Sequence, residues 1–256
     1  MLIAGNWKMN TDVTEGRALA SRIAEGIVEN GGYDAIDLAV CPPFVHLPGV
    51  GEALSDVPVA LGAQNMHAEE EGSYTGEVSA PMLTSVGCSH VILGHSERRQ
   101  YFDETDTDIN KKVAQARAHD LVPILCVGES IEQRRSGNAD AVVRSQLKGG
   151  LEGVSITSGD DLVVAYEPIW AIGTGESATP EQAQDMHALI RDELSNRYGG
   201  DVAVDVPLLY GGSMKPHNAT GLLSQSDVDG GLIGSASLAA DSFLGIADCA
   251  MEVVGA

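Results

Sequence analysis

The sequence predicts a closed (β/α)8 barrel, an α/β fold occupying residues 1–256 as one domain. Three observations lead there. Eight short apolar runs recur along the chain, each followed by a stretch of helical character. The length of 256 residues suits eight such units closed into a barrel. No GxGxxG motif follows the first run, which weighs against a doubly wound dinucleotide-binding sheet. Strict alternation of strand and helix implies a parallel sheet with the helices outside.

Residues 2–8 form the first strand, with Leu2, Ala4, Asn6 and Lys8 on one face and Ile3, Gly5 and Trp7 on the other. Residues 11–29 are helical, with Leu19, Ile23 and Ile27 on one face and Asn30-Gly31-Gly32 as the stop. The second strand spans 36–41, closed by Pro42-Pro43, and a short helix spans 45–54. The third strand, 59–64, leads into a long loop at 65–77, a length that points to function or an interface. The fourth strand spans 91–94, and His95-Ser96-Glu97-Arg98-Arg99-Gln100 begins directly after it. Ile109, Val113 and Ala116 then mark the inner face of a helix.

The fifth strand, 122–127, ends in Gly128-Glu129. A polar helical stretch runs to about Lys148, with Gly149-Gly150 as its break. The sixth strand, 162–166, precedes a helix opened by Thr179 as cap, Pro180 as first residue and Gln182 closing a capping box. The seventh strand spans 206–209, followed by Tyr210-Gly211-Gly212-Ser213-Met214-Lys215-Pro216. Residues 229–235 hold the eighth strand and its turn. The final helix carries Leu238, Phe243, Ile246 and Met251.

Composition narrows the function. Hydrophobic residues make up 43% of the chain, and the formal net charge is -22. Nucleic acid and anionic membrane are poor partners for so acidic a surface. No run is long enough to span a bilayer, and no secretory signal opens the chain. Cys41, Cys88, Cys126 and Cys249 are scattered without a CxxC, so neither disulfides nor a metal site are expected, and a reducing cytoplasm is the default. An anionic substrate would need a locally positive pocket.

In such a barrel chemistry gathers at the carboxyl ends of the strands. Lys8 follows strand one, His95 strand four and Glu167 strand six. Gly211-Gly212-Ser213 follows strand seven and Gly234-Ser235 follows strand eight, turns able to aim N–H groups at a phosphate. After Glu167, Pro168 stiffens the chain. Ile169, Trp170, Ala171 and Ile172 are apolar, and Gly173-Thr174-Gly175 allows a swing, a composition that suits a closing lid. Taken singly, Lys8 is equally a snorkelling lysine, His95 a helix cap, His67 a loop hydrogen-bonder and each glycine pair a tight turn.

Together, Asn6-Trp7-Lys8-Met9-Asn10, Gly62-Ala63-Gln64-Asn65, Gly94-His95-Ser96-Glu97-Arg98-Arg99, Ala165-Tyr166-Glu167-Pro168-Ile169-Trp170, Tyr210-Gly211-Gly212-Ser213 and Asp229-Gly230-Gly231-Leu232-Ile233-Gly234 resemble the signatures of the triosephosphate isomerase family, in that family's order. The resemblance implies a cofactor-free interconversion of dihydroxyacetone phosphate and glyceraldehyde 3-phosphate through an enediolate, in glycolysis and gluconeogenesis. It implies Glu167 as base, His95 as electrophile, Lys8 with Asn6 as stabilisers of negative charge, and Glu97 as support for the Lys8 and His95 region. The amides of Gly173, Ser213, Gly234 and Ser235 would hold the phosphate. A homodimer follows, with the loop carrying Asn65 and Thr75 reaching into the partner.

Two departures stand out: Glu176 where the family often has lysine, and Ser235 where it often has glycine. Another phosphosugar isomerase or epimerase on the same barrel is the alternative, and a catalytically silent barrel that only binds phosphate or another protein is the third reading.

Overall fold

A computed structural model, describing residues 1–172 and 177–255, contains the eight strands in sequence order. They are β1 (Leu2–Asn6), β2 (Asp37–Cys41), β3 (Val59–Ala63), β4 (His90–Leu93), β5 (Val122–Val127), β6 (Val163–Tyr166), β7 (Leu208–Tyr210) and β8 (Gly230–Ile233). Each pairs in parallel with the next, and β8 pairs back onto β1, so the barrel is closed. In that closure Leu2 stands opposite Asp37 on one side and Gly230 on the other. The seam demands glycine: Gly230 has φ of +149°, and a Cβ there would sit 1.9 Å from the Leu2 carbonyl oxygen.

The helices are α1 (Val13–Glu29), α2 (Leu47–Ala53), α3 (Ala80–Ser85), α4 (Ser96–Tyr101), α5 (Asp106–Ala118), α6 (Ile131–Arg135), α7 (Ala139–Gly150), α8 (Pro180–Tyr198), α9 (Gly200–Asp205), α10 (Pro216–Leu223) and α11 (Ala240–Val254). In α1, Asp12 and Glu15 form a capping box, and Leu19, Ile23 and Ile27 are buried. In α8, Thr179, Pro180 and Gln182 occupy the capping positions that their order predicts.

Several boundaries differ from the sequence reading. β1 stops at Asn6, because Lys8 takes a left-handed φ of 53° that no strand tolerates. The polar stretch after β5 is two helices, parted where Gly137 has φ of +75°. α7 ends at Gly150, at the expected glycine pair, and Gly149 lets the helix approach Asp106, where a Cβ would come within 2.7 Å of that side chain's Cβ. Leu238 lies in a 3₁₀ turn, Ser235–Leu238, ahead of α11. Helices α3 and α10 fall where a helix was expected after β3 and β7 but could be given no range, and α9 was not expected. Helices α3, α9 and α10 are six, six and eight residues long, too short to display a helical period.

Alternation along the strands builds two cores. Inward-facing Leu2, Ala4, Ala39, Cys41, Ile92, Ile124, Cys126, Val163, Ala165, Leu209 and Leu232 fill the barrel. Outward-facing Ile3, Val40, Val91, Leu93, Val164 and Ile233 pack with the apolar faces of the surrounding helices. Two residues beyond the upper inner layer, the same alternation reaches Asn6 after Ala4, Glu167 after Ala165 and Gly234 after Leu232. The change from apolar to polar or glycine at that level makes the top of the barrel a mouth.

One buried group outside the mouth makes stability depend on pH. His187 of α8 is fully buried, edge-on to the Tyr166 ring at 5.9 Å, with Nδ1 2.9 Å from the Asp227 carbonyl oxygen and Nε2 unpartnered among the described residues. Burial pushes its pKa down to about 4, against the opposing pull of the Asp227 carbonyl. The unfolded chain therefore binds a proton that the native state refuses between about pH 6.5 and 4, so native stability falls as pH falls through that window. The full loss is about 3 kcal/mol. Urea unfolding of parent and His187→Gln should show the parent's profile falling more steeply from pH 7.5 to 4.5, by about 2 kcal/mol over that range. Parallel profiles would refute this.

Candidate active site

The first segment of the mouth is the turn after β1. Lys8 donates its N–H to Asn6 Oδ1 at 3.0 Å, and Gln64 Nε2 donates to the Lys8 carbonyl at 2.9 Å and the Cys41 carbonyl at 2.8 Å. These bonds hold a left-handed non-glycine residue, a conformation that costs roughly 1–3 kcal/mol. The result is a lysine whose base is fixed while its stem rises into the mouth, with Nζ 2.5 Å from Glu97 Oε1. Gln64 is a positioning residue that sequence reasoning treated only as part of a motif. Its signal was a polar residue at an inward position just past a strand.

The second segment is the start of α4. His95 is the cap: its Nδ1 accepts the Glu97 N–H at 3.2 Å. With Nδ1 occupied as acceptor, the proton of a neutral ring resides on Nε2. Nε2 lies 2.9 Å from Glu167 Oε1 and donates to it, while Glu167 Oε2 accepts the Ser96 N–H at 2.8 Å. Both side chains are buried, His95 at 6% exposure and Glu167 at 2%.

Burial pushes the Glu167 carboxyl up, but the His95 ring, the Ser96 N–H and Lys8 together hold it below the ordinary carboxylate value. It is a buried anion with every contact favouring charge. Burial pushes His95 down, and the neighbouring Glu167 carboxylate outweighs it and holds the ring up. That upward pull belongs to the carboxylate alone in its largest part. When Glu167 is neutral, burial and Lys8 favour the uncharged ring against the weaker upward pull of the Glu97 carboxylate, 3.7 Å from Nδ1. Arg99 fixes this corner from below, donating to the carbonyls of Gly94 at 2.8 Å and Cys126 at 3.2 Å and pairing with Asp106 at 2.5 Å. Sequence reasoning named it only as part of a motif.

The third segment is the expected lid. Pro168 caps a 3₁₀ turn, Ile169–Ala171. Beneath it Glu129, fully buried, accepts from Trp170 Nε1 at 2.9 Å and Tyr166 OH at 3.1 Å and pairs with Arg134 at 3.1 Å. The Arg134 guanidinium also covers the Trp170 ring at 5.1 Å. The Ala171 carbonyl accepts both the Ser213 N–H, at 3.2 Å, and the Ser213 hydroxyl, at 2.8 Å. The Ser213 amide, expected to face a phosphate, is therefore bonded to the Ala171 carbonyl instead. Gly173 and Thr174 of the expected lid, and Glu176, lie outside the described residues. Glu129 escaped sequence reasoning because an acid after a strand declares nothing about the three donors the fold brings to it.

These segments enclose a cavity of about 220 Å³. Asn6, Lys8, His95, Glu167, Ile172, Ser213, Gly234 and Ser235 line it, and so do Gly211, Gly212 and Lys215. Gly211 has no room for a side chain, since a Cβ would sit 2.9 Å from Glu167 Cγ. Glu97 stands behind the wall, tied to Lys8 by its carboxylate and to His95 by its amide. The loop at 65–77 is elsewhere. Asn65 is buried and accepts from Lys112 at 2.9 Å, while Thr75 is exposed. His67 accepts the Glu69 N–H at 3.1 Å and packs on Tyr74, the loop role its sequence context allowed.

The arrangement can hold a small polar molecule between a buried carboxylate, a hydrogen-bond-donating imidazole and a fixed ammonium, with glycine-rich turns opposite. Comparison with known proteins agrees with that reading. The family model of triosephosphate isomerase matches residues 1–250. The triosephosphate isomerase of Rhodopirellula baltica is 50% identical over 246 residues, covering 96% of each chain. That of Chloroflexus aurantiacus is 51% identical over 245 residues, covering 96% of this chain and 97% of its own. The crystal structure of triosephosphate isomerase from Bartonella henselae superposes with a TM-score of 0.87 at 40% identity, over 97% of this chain and 98% of that one.

Proposed function

The chain belongs to the triosephosphate isomerase family, and we propose that Glu167, His95 and Lys8 carry that family's chemistry here. The protein is an isomerase that interconverts dihydroxyacetone phosphate and glyceraldehyde 3-phosphate, a step of glycolysis and gluconeogenesis in this family. The observation that supports the assignment of roles is the contact of a buried carboxylate with the Nε2–H of a ring whose tautomer is set by a backbone amide.

Glu167 takes the proton from the carbon next to the substrate carbonyl and returns it to the neighbouring carbon. Its carboxylate is unprotonated at neutral pH, and burial leaves it without water to compete. His95 Nε2–H donates to the carbonyl oxygen as negative charge develops there. A neutral ring serves this purpose, because it polarises the oxygen without surrendering a proton outright. Lys8 adds fixed positive charge beside the same oxygen, with Asn6 below it. His95 and Glu167 are bonded to each other, so substrate enters between them and the carboxylate shifts from the ring to the carbon.

The lid supplies the rest. The Ser213 N–H and hydroxyl hold the Ala171 carbonyl. Movement of the lid towards the mouth breaks that pair and releases the Ser213 amide to the phosphate, alongside the amides of Gly173, Gly234 and Ser235. Ile169, Trp170, Ala171 and Ile172 bring an apolar surface that excludes water, and Pro168 keeps the start of the lid stiff. Exclusion matters because an enediolate exposed to water expels its phosphate and forms methylglyoxal.

Assembly as a two-fold homodimer in the cytoplasm completes the reading. Residues 69–77 are exposed throughout, yet the loop is ordered by a Glu77 N–H bond to the Tyr74 carbonyl at 3.0 Å and by Tyr74 against His67 at 4.1 Å. Large apolar side chains are exposed after each of the first four strands: Met9, Phe44, Tyr74 and Phe102. Those strands are neighbours in the barrel, so one side of the mouth carries the apolar surface that a second copy would cover, with Thr75 inserted.

Glu167→Ala should keep the fold and the affinity for inorganic phosphate while turnover falls about 10²–10⁴-fold. Near-normal turnover would remove Glu167 from the mechanism. Sedimentation at micromolar concentration should give the mass of a dimer, and a fully active monomer would contradict the proposed assembly.

A further inference from the structure

We propose that Lys215 is a substrate-capture residue, a second positive charge at the cavity rim that draws the phosphate dianion in against the field of an acidic protein. The inference rests on the reading of the cavity as a triose phosphate site and adds a residue that the reading does not include.

The chain carries 15 lysines and arginines against 37 aspartates and glutamates. A dianion approaching such a surface is repelled, and the repulsion must be reversed at the mouth. Among the described residues only Lys8 and Lys215 bring a fixed positive charge to the cavity lining. Lys8 is poorly suited to long-range attraction. Its Nζ is held 2.5 Å from the Glu97 carboxylate, and from a distance that pair is a dipole with little net charge.

Lys215 differs in each respect. It is exposed and takes part in no ion pair among the described residues, so its charge is uncompensated. Its backbone is fixed. The Lys215 N–H donates to Asn218 Oδ1 at 2.8 Å, the Asn218 side-chain N–H donates back to the Ser213 carbonyl at 3.2 Å, and the Lys215 carbonyl accepts from Asn218 and Ala219. A long flexible cation thus rises from a rigid base two residues beyond Ser213, at the end of the cavity where Ser213, Gly234 and Ser235 would meet the phosphate. A charge so placed acts on encounter and weakens as added salt shortens the screening length from about 30 Å at 0.01 M to about 4–5 Å at 0.5 M.

The test is kcat/KM with glyceraldehyde 3-phosphate over that salt range for the parent, Lys215→Gln, Lys215→Arg and Lys148→Gln. Lys148 is exposed on α7 and does not line the cavity, so its replacement makes the same change in net charge at a remote place. Lys215→Gln should lose about 3–10-fold at low salt, chiefly through KM, with the loss shrinking below about twofold at high salt. Lys215→Arg should restore the parent's salt profile and Lys148→Gln should follow it. A loss that is the same at all salt concentrations, no loss at all, or an equal loss in Lys148→Gln would overturn the proposal. Each of those results leaves the parent an active isomerase, whereas a parent inactive on this substrate would sink the underlying reading.

Discussion

The bond from the Glu97 N–H to His95 Nδ1 is the interaction on which the site depends. It is a single backbone contact at the start of a six-residue helix, yet it decides which ring nitrogen faces the cavity with a proton. Without it, Nε2 could present a lone pair to Glu167, and two acceptors would confront each other at 2.9 Å. The adjoining Ser96 N–H performs the matching service for Glu167. Two consecutive amides of one short helix therefore orient both groups proposed to move charge, and the barrel's part is to deliver β4 and β6 to the same level.

The same amides explain how a carboxylate survives burial. Taking Glu167 out of water favours its neutral form, and the ring, the Ser96 amide and Lys8 reverse that preference. The charge is thus preserved by geometry, and the same geometry ties the imidazole's upward shift to the carboxylate beside it. Transfer of a proton to Glu167 removes the largest pull on His95 to charge and leaves the weaker one of Glu97 against burial and Lys8. A site with two titrating neighbours then behaves as one base and one neutral donor. Ser213 gives both its N–H and its hydroxyl to the Ala171 carbonyl, so the closure proposed for this segment would exchange two bonds for contacts with substrate rather than leave donors unpaired.

Much of this was legible in the sequence, for physical reasons. Buried parallel strands are short apolar runs, and all eight could be read. Alternation along the first strand set Asn6 and Lys8 on one face with Leu2 and Ala4, and position at the carboxyl ends of the fourth and sixth strands located His95 and Glu167, where polar residues have a use only at an open mouth. What could not be read depends on partners remote in sequence. Gln64 matters because it reaches the Lys8 and Cys41 carbonyls, and Glu129 because Tyr166, Trp170 and Arg134 converge on it. Helices of one or two turns, such as α3 and α9, carry no period long enough to register. Lys8 looked like the end of a strand, and only its left-handed backbone shows that the strand had already stopped.

The most direct test of the account concerns the ring itself. In protein carrying ¹⁵N-labelled histidine, the Glu167→Ala variant removes the carboxylate that pulls His95 upward most strongly and leaves Glu97, with its amide, in place. NMR of the His95 imidazole nitrogens between pH 8 and 6 should show a neutral ring throughout, with the proton on Nε2 and Nδ1 unprotonated. A ring protonated on both nitrogens in that range, or a neutral ring with its proton on Nδ1, would contradict the account.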